Sequence, residues 1–151
     1  MWHTVLFDLD GTLTDPKIGI TLSIAHALKH FGINADPDEL TCFIGPPLVD
    51  AFMEFYLLTR QQSMEAIRLF RERFSAVGWA ENEPYPGIRD LLSALRHAGK
   101  HLLVATSKPE AFAVRILEHF MLAEYFDHIC GAPMDESDAG RKENVIKSLN
   151  F

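Results

Sequence analysis

An apolar run near the start of the chain leads directly into two carboxylates, and this junction constrains the fold more than any other segment. The apolar run Val5-Leu6-Phe7 indicates a strand, and Asp8 and Asp10 follow it one residue apart. Gly11 comes next and permits backbone angles that other residues avoid, so the chain can curl there. We therefore expect a strand that brings two carboxylates to one place.

Paired carboxylates at the end of a strand allow two kinds of chemistry. Their oxygens are the ligands that a hard cation such as Mg²⁺ prefers. One carboxylate can also act as a nucleophile while the other transfers protons. An Asp-Gly turn after a strand is common in its own right, so the pair alone leaves a purely structural interpretation open.

Strands and helices alternate outside one long segment. Apolar runs predict strands at 4–7, 101–105 and about 126–130. Helix start and stop signals with 3.6-residue periodicity predict helices from Pro86-Gly87 to Gly99, from a cap at Ser107 to about Phe120, and from about Arg141 onward. This alternation is typical of parallel βαβ units. The predicted fold class is therefore α/β, with a parallel Rossmann-like sheet.

The segment 16–79 interrupts that alternation with helical patterns alone. A helix start is predicted at Asp36-Pro37, and Thr59 with Gln62 forms the pattern of a capping box ahead of a longer helix. We predict a discontinuous α/β core made of residues 1–15 and 80–151. Residues 16–79 would form an inserted helical domain.

Composition and charge narrow the function classes. The chain has 151 residues, 48% of them apolar, which favours a globular protein. Its net charge of −7 gives no support for binding a nucleic acid polymer. No apolar stretch is long enough for a membrane span, and the N-terminus lacks a secretory signal pattern. We expect the cytoplasm as the default compartment.

Three short motifs together resemble one known family. The string FDLDGTLTD at 7–15 is similar to the first motif of the haloacid dehalogenase-like superfamily. With the FIGPP bend at 43–47 and ATSKP at 105–109, the chain most resembles the phosphoglycolate phosphatase and 5′-nucleotidase-like branch. The resemblance implies that 16–79 is a helical cap. It also implies a Mg²⁺-dependent phosphatase that acts on a small phosphorylated metabolite.

The resemblance also assigns roles to residues. It implies that Asp8 attacks phosphorus and becomes an aspartyl phosphate, while Asp10 transfers protons. Asp8 and the backbone carbonyl of Asp10 would bind the cation. Thr106 would bind the phosphoryl group through its hydroxyl, and Lys142 would pair with the nucleophile and the phosphate. Predicted substrate-binding residues are Leu9, Gly11, Thr12, Ser107, Gly45 and Pro46.

Two other cations compete with Lys142 for the lysine role. Arg141 precedes it directly in the sequence. Lys108 lies close to Thr106 in sequence, although its side chain can point away from the site.

The chain departs from the family pattern at its C-terminal end. The fourth motif of the family is an acidic pair after a further strand, and no such pair precedes Phe151. We expect a shortened version of a longer protein in which the C-terminal strands of the core are missing and the cation is bound more weakly. The first strand would then be an uncovered edge, which invites self-association.

Two alternative functions remain open. One is a phosphosugar mutase of the same superfamily, which would return the phosphate to its substrate. The other is a catalytically inactive remnant that binds a partner through the open edge strand.

Overall fold

The computed structural model describes residues 2–149, which divide into two compact units. The first unit contains the residues up to Asp15 and those from Glu83 onward, and the second is Pro16–Asn82. In chain order the helices and strands are β1 (Thr4–Phe7), β2 (Thr14–Asp15), α1 (Lys17–Lys29), α2 (Leu48–Tyr56), α3 (Arg60–Ala76), β3 (Glu83–Pro84), α4 (Ile88–His97), β4 (His101–Pro109), α5 (Glu110–His119), β5 (His128–Ala132) and α6 (Lys142–Ser148). The second boundary lies at 82/83, compared with 79/80 in the sequence-based assignment.

A parallel sheet forms the centre of the first unit. Its strand order is β1-β4-β5, with Phe7 opposite Val104 and Ala105 opposite Cys130. The predicted α/β class and the parallel pairing are confirmed. Because the strands are parallel, β1 and β4 end at the same edge of the sheet. This edge is where Asp8 and Thr106 lie.

Strand β4 is longer than predicted, and this corrects the assignment of Ser107 as a helix cap. The strand continues to Pro109, which pairs with Ala132 across an irregularity in the register, and α5 begins only at Glu110. The reason is local. A residue before proline is disfavoured in the α conformation, so Lys108 stays extended and the helix cannot begin at Ser107.

Other local predictions had mixed outcomes. The helix start at Asp36-Pro37 is a single 3₁₀ turn, in which the Asp36 carboxylate accepts a hydrogen bond from the Asp38 N–H at 3.0 Å. The Thr59–Gln62 capping box is confirmed in both directions, at 3.2 and 2.9 Å. The antiparallel pair β2–β3 lay outside the prediction. Strand β5 begins two residues later than expected.

Each unit has a hydrophobic core of its own. In the first unit, Leu102–Ala105 of β4 are buried, and helices α4, α5 and α6 contribute Leu92, Ile116 and Val145. In the second, α1 packs against α3 and α2 against α3, burying Ile24, Ile67 and Phe52, among others. No helix within residues 2–149 is long and apolar enough to cross a membrane.

Candidate active site

A tight turn after β1 fixes the acidic pair. The Leu9 carbonyl accepts hydrogen bonds from the N–H groups of Thr12 and Leu13, at 3.1 and 2.9 Å. Gly11 has a φ of +77°, and its N–H donates to the Thr14 carbonyl at 2.9 Å. The predicted curl at Gly11 is confirmed, and a positive φ is where glycine is least strained. Asp8 and Asp10 are therefore held by the backbone on either side of Leu9.

Asp8 pairs with the lysine that the sequence singled out. One carboxylate oxygen accepts a hydrogen bond from the Leu9 N–H at 2.8 Å, and the other contacts the Lys142 ammonium. Lys142 is the first residue of α6, and this helix packs against β4 and β5. The Asp8 side chain is 31% exposed and the Lys142 side chain is 41% exposed. A ligand from solution can therefore reach both charged groups.

Asp10 pairs with a second lysine, Lys108, which sequence reasoning had left as a competitor. The Lys108 Nζ lies 3.0 Å from Oδ2 of Asp10, and the side chains are only 6% and 11% exposed. The other oxygen, Oδ1, is buried and has no hydrogen-bond partner among the described residues. The Lys108 side chain points into the site rather than away from it. The remaining competitor, Arg141, forms an ion pair with Asp138 at 3.0 Å.

Thr106 lies within β4 and is 2% exposed. Its hydroxyl accepts a hydrogen bond from the Lys108 N–H at 3.1 Å. A hydroxyl that accepts one hydrogen bond still carries a proton to donate, so Thr106 keeps the donor that an anion would need. Ser107, which follows it, is partly buried.

Tyr85 is a neighbour of the acidic pair that sequence reasoning missed. Burial raises the pKa of Tyr85, and the carboxylates of Asp15 and Asp10 raise this pKa further. Its N–H donates to the Leu13 carbonyl at 3.1 Å, next to the β2–β3 pair. Strands β2 and β3 have only two residues each, and they pair across the whole inserted segment. Strands this short leave no periodic pattern, so the sequence around Tyr85 does not predict that it lies near the acidic pair.

The remaining predicted residues fall in two places. Leu9, Gly11 and Thr12 belong to the turn after β1, whereas Gly45 and Pro46 lie in the second unit, just before α2. Gly45 adopts a φ of +111°. Their part in substrate binding stays a prediction.

A hard cation fits the donors of this site in chemical kind. Asp8 offers a part-exposed carboxylate, and Asp10 adds a backbone carbonyl oxygen. Such cations prefer about six oxygen ligands. Across the described part of the chain, however, no three His, Cys, Asp or Glu side chains are placed to hold a metal together. Oxygens from water or from a phosphate would have to complete the shell.

An acidic pair, a buried threonine and two lysines thus lie together at the carboxyl edge of a parallel sheet. The family described as haloacid dehalogenase-like hydrolase matches residues 5–147 of the chain. The chain belongs to this family, as its motifs indicated. The family is generally metal-dependent.

Two known relatives share much of the sequence of this chain. The chain is 46% identical over 150 residues to a 5′-nucleotidase of Pseudomonas aeruginosa, covering 98% of the chain and 67% of that protein. It is 45% identical over 143 residues to the tyrosine-protein kinase PtkA of Mycobacterium tuberculosis, covering 94% of the chain and 48% of that protein. It therefore spans about half of the kinase.

A solved structure supports the fold directly. The crystal structure of a predicted phosphatase from Clostridium acetobutylicum superposes with a TM-score of 0.96 at 47% identity. The match covers 100% of this chain and 72% of the other.

Proposed function

We propose that this chain carries the reaction centre of a Mg²⁺-dependent phosphatase that hydrolyses a small phosphate monoester through an aspartyl phosphate on Asp8. The observation that carries the proposal is the open Asp8–Lys142 pair at the carboxyl edge of the sheet. The Asp8 carboxylate is reachable, and it is turned toward a cation that can also bind a phosphate. Membership of the family adds support.

The first half-reaction transfers the phosphoryl group to the protein. An Asp8 oxygen attacks phosphorus, the bond from phosphorus to the ester oxygen breaks, and the departing alkoxide takes a proton from Asp10. Lys142 offsets the negative charge that builds up between nucleophile and phosphate. The Thr106 hydroxyl donates to a phosphoryl oxygen.

The second half-reaction releases phosphate. A water oxygen attacks the phosphorus of the aspartyl phosphate, the bond to the Asp8 oxygen breaks, and the water proton passes to Asp10. The ester and one water have then become an alcohol and phosphate, and both aspartates are restored. Splitting one difficult displacement into two steps is the advantage of a covalent nucleophile.

The cation would be held by the carboxylate of Asp8 and by the backbone carbonyl of Asp10. It would supply a positive charge that shields the phosphate from the two carboxylates. We propose Mg²⁺ because the available donors are hard oxygens.

We propose phosphoglycolate or a nucleoside monophosphate as the substrate class. The likeness to a protein named 5′-nucleotidase supports the second of these. The net charge of the chain is −7, so the protein as a whole does not attract a phosphate. Attraction of a phosphate to the site therefore depends on Lys142, Lys108 and the bound metal.

Hydrolysis of p-nitrophenyl phosphate tests this proposal. We expect activity that requires Mg²⁺, disappears with EDTA, and is absent in Asp8→Asn. Asp127→Asn is the matched control because Asp127 lies immediately before β5, at the opposite end of the sheet. Activity that survives in Asp8→Asn would contradict the mechanism.

A second candidate concerns the phosphoryl acceptor. The 45% identity to PtkA favours transfer to a tyrosine hydroxyl in place of water. Incubation with ATP labelled at its γ-phosphorus and a tyrosine-containing peptide separates the two. Labelled peptide would support the transferase, and labelled inorganic phosphate alone would show that water is the acceptor.

A further inference from the structure

The two lysines of the site sit in different environments. Lys142 is 41% exposed beside an Asp8 that is 31% exposed. Lys108 is 6% exposed beside an Asp10 that is 11% exposed. A buried ammonium is stable only where a partner balances its charge. Lys142 is thus placed to meet a substrate, whereas Lys108 is enclosed against Asp10.

The backbone that carries Lys108 is fixed on two sides. Its N–H donates to the Thr106 hydroxyl at 3.1 Å. Its carbonyl faces Gly131 of β5 so closely that a Cβ on Gly131 would lie 2.6 Å from the carbonyl oxygen. The Gly131 N–H in turn donates to the Glu110 carboxylate at 3.2 Å. The Lys108 ammonium therefore extends from a rigid segment.

The two oxygens of Asp10 have unequal surroundings. Oδ2 is held by Lys108 at 3.0 Å, while Oδ1 is buried and lacks a hydrogen-bond partner among the described residues. Buried polar atoms are nearly always hydrogen-bonded, so an unfilled acceptor on a tethered carboxylate calls for a functional explanation.

We propose that Lys108 is a positioning residue, whose ammonium holds Oδ2 of Asp10 so that Oδ1 is the oxygen that gives and takes the proton. This inference rests on the proposed phosphatase function and deepens it. It assigns to Lys108 a task separate from that of Lys142. Lys142 acts on the phosphoryl group, and Lys108 acts only through Asp10.

A substrate with a good leaving group makes this division measurable. The p-nitrophenolate ion departs without needing a proton, so formation of the aspartyl phosphate does not depend on Asp10. Attack by water on the intermediate does depend on it: Asp10 releases its proton to solvent and then takes the proton of the attacking water. Rapid mixing of Lys108→Met with p-nitrophenyl phosphate should therefore release a burst of about one equivalent, followed by slow turnover as in Asp10→Asn. Lys142→Met should show no burst because its first step is impaired.

The expected size of the slow phase follows from general acid–base catalysis. Asp10→Asn should lower steady-state turnover by about 10²–10⁴-fold. Lys108→Met should lower it by about 10²-fold through misplacement of the carboxylate. Lys100→Met is the matched lysine control, because the Lys100 Nζ donates to the Trp2 carbonyl outside the site.

A double variant keeps the test decisive if Lys108→Met fails to fold. In Asp10→Asn/Lys108→Met neither buried charge remains, so no unpaired charge destabilises the chain. If Lys108 acts only through Asp10, the double variant should turn over as Asp10→Asn does. A further loss in the double variant, or an active Lys108→Met without a burst, would overturn the inference and leave the phosphatase standing. A wild-type chain without metal-dependent hydrolysis would instead overturn the proposed function, and the inference with it.

Discussion

The two lysine–aspartate pairs of the site share their chemistry and differ in their access to solvent. Asp8–Lys142 is open, so water and substrate can compete with the lysine for the carboxylate. Asp10–Lys108 is enclosed, and its charges interact more strongly because little water screens them. Exposure therefore separates the two roles: the open pair can exchange partners during a reaction, whereas the enclosed pair keeps the Asp10 carboxylate in one position.

The largest expected effect lies in the open pair. Asp8→Asn should reduce turnover by on the order of 10⁶-fold, the scale for removing a covalent nucleophile. Because the Asp8 side chain is part-exposed, the variant should fold and unfold almost as the wild type does. Steady-state kinetics and a urea titration on the same sample check both statements. Residual turnover near that of Asp10→Asn would show that the open carboxylate is not the nucleophile.

The enclosed pair should dominate in stability. Lys108→Met leaves the Asp10 carboxylate buried without its cation, and such a loss lowers the free energy of unfolding by about 3–5 kcal/mol. Urea denaturation measures it, with Lys142→Met as the comparison. If Lys108→Met and Lys142→Met lowered the free energy of unfolding equally, the distinction between the enclosed and the open pair would be wrong.

Lys142→Met should affect activity far more than stability. Removing a cation that stabilises the transferring phosphate should lower kcat/KM by about 10²–10³-fold. The free energy of unfolding should change by no more than about 1 kcal/mol, since both partners are part-exposed and water screens their charges. Lys142→Arg retains the charge and is the conservative control. Full activity in Lys142→Met would remove this residue from the mechanism.

A third aspartate gives the smallest effect and a reference for both pairs. Although partial burial raises its pKa, hydrogen bonds from Arg96 at 3.0 Å and from the Leu102 N–H at 3.1 Å leave the pKa of Asp127 lowered. A lowered pKa stabilises the fold above the unfolded value of about 3.9, and this contribution is lost as pH falls through the folded pKa.

Asp127→Asn should therefore unfold at lower urea than the wild type at neutral pH, and the difference should vanish at strongly acid pH. Hydrolysis of p-nitrophenyl phosphate at neutral pH should be unchanged. A stability difference that persists in acid would mean that the charge of Asp127 is not what stabilises the strand ends.

The sequence predicted the pieces of the site that depend on local signals. Strand β1 ends where the apolar run ends, Gly11 adopts the positive φ that its position required, and Lys142 begins α6 beside Asp8. These features follow from hydrophobic runs and from turn chemistry, which short windows of sequence carry.

What the sequence missed depends on contacts between distant segments. The direction of Lys108 is set by the extension of β4 to Pro109 and by the approach of Gly131, neither of which a periodic pattern encodes. Tyr85 is placed by a two-residue strand pair. Burial of the Lys108–Asp10 pair also results from packing. The difference in solvent exposure between this pair and Asp8–Lys142 is therefore visible only in the structure.

Identification of the covalent intermediate tests the central claim most directly. Lys108→Met would be mixed with p-nitrophenyl phosphate, quenched in acid during the burst, and treated with borohydride, which reduces an acyl phosphate to an alcohol. Tandem mass spectrometry should then find homoserine in place of aspartate at position 8 and unchanged aspartate at position 10. If the protein releases p-nitrophenolate in the burst but Asp8 is found unmodified after the quench, the account is contradicted.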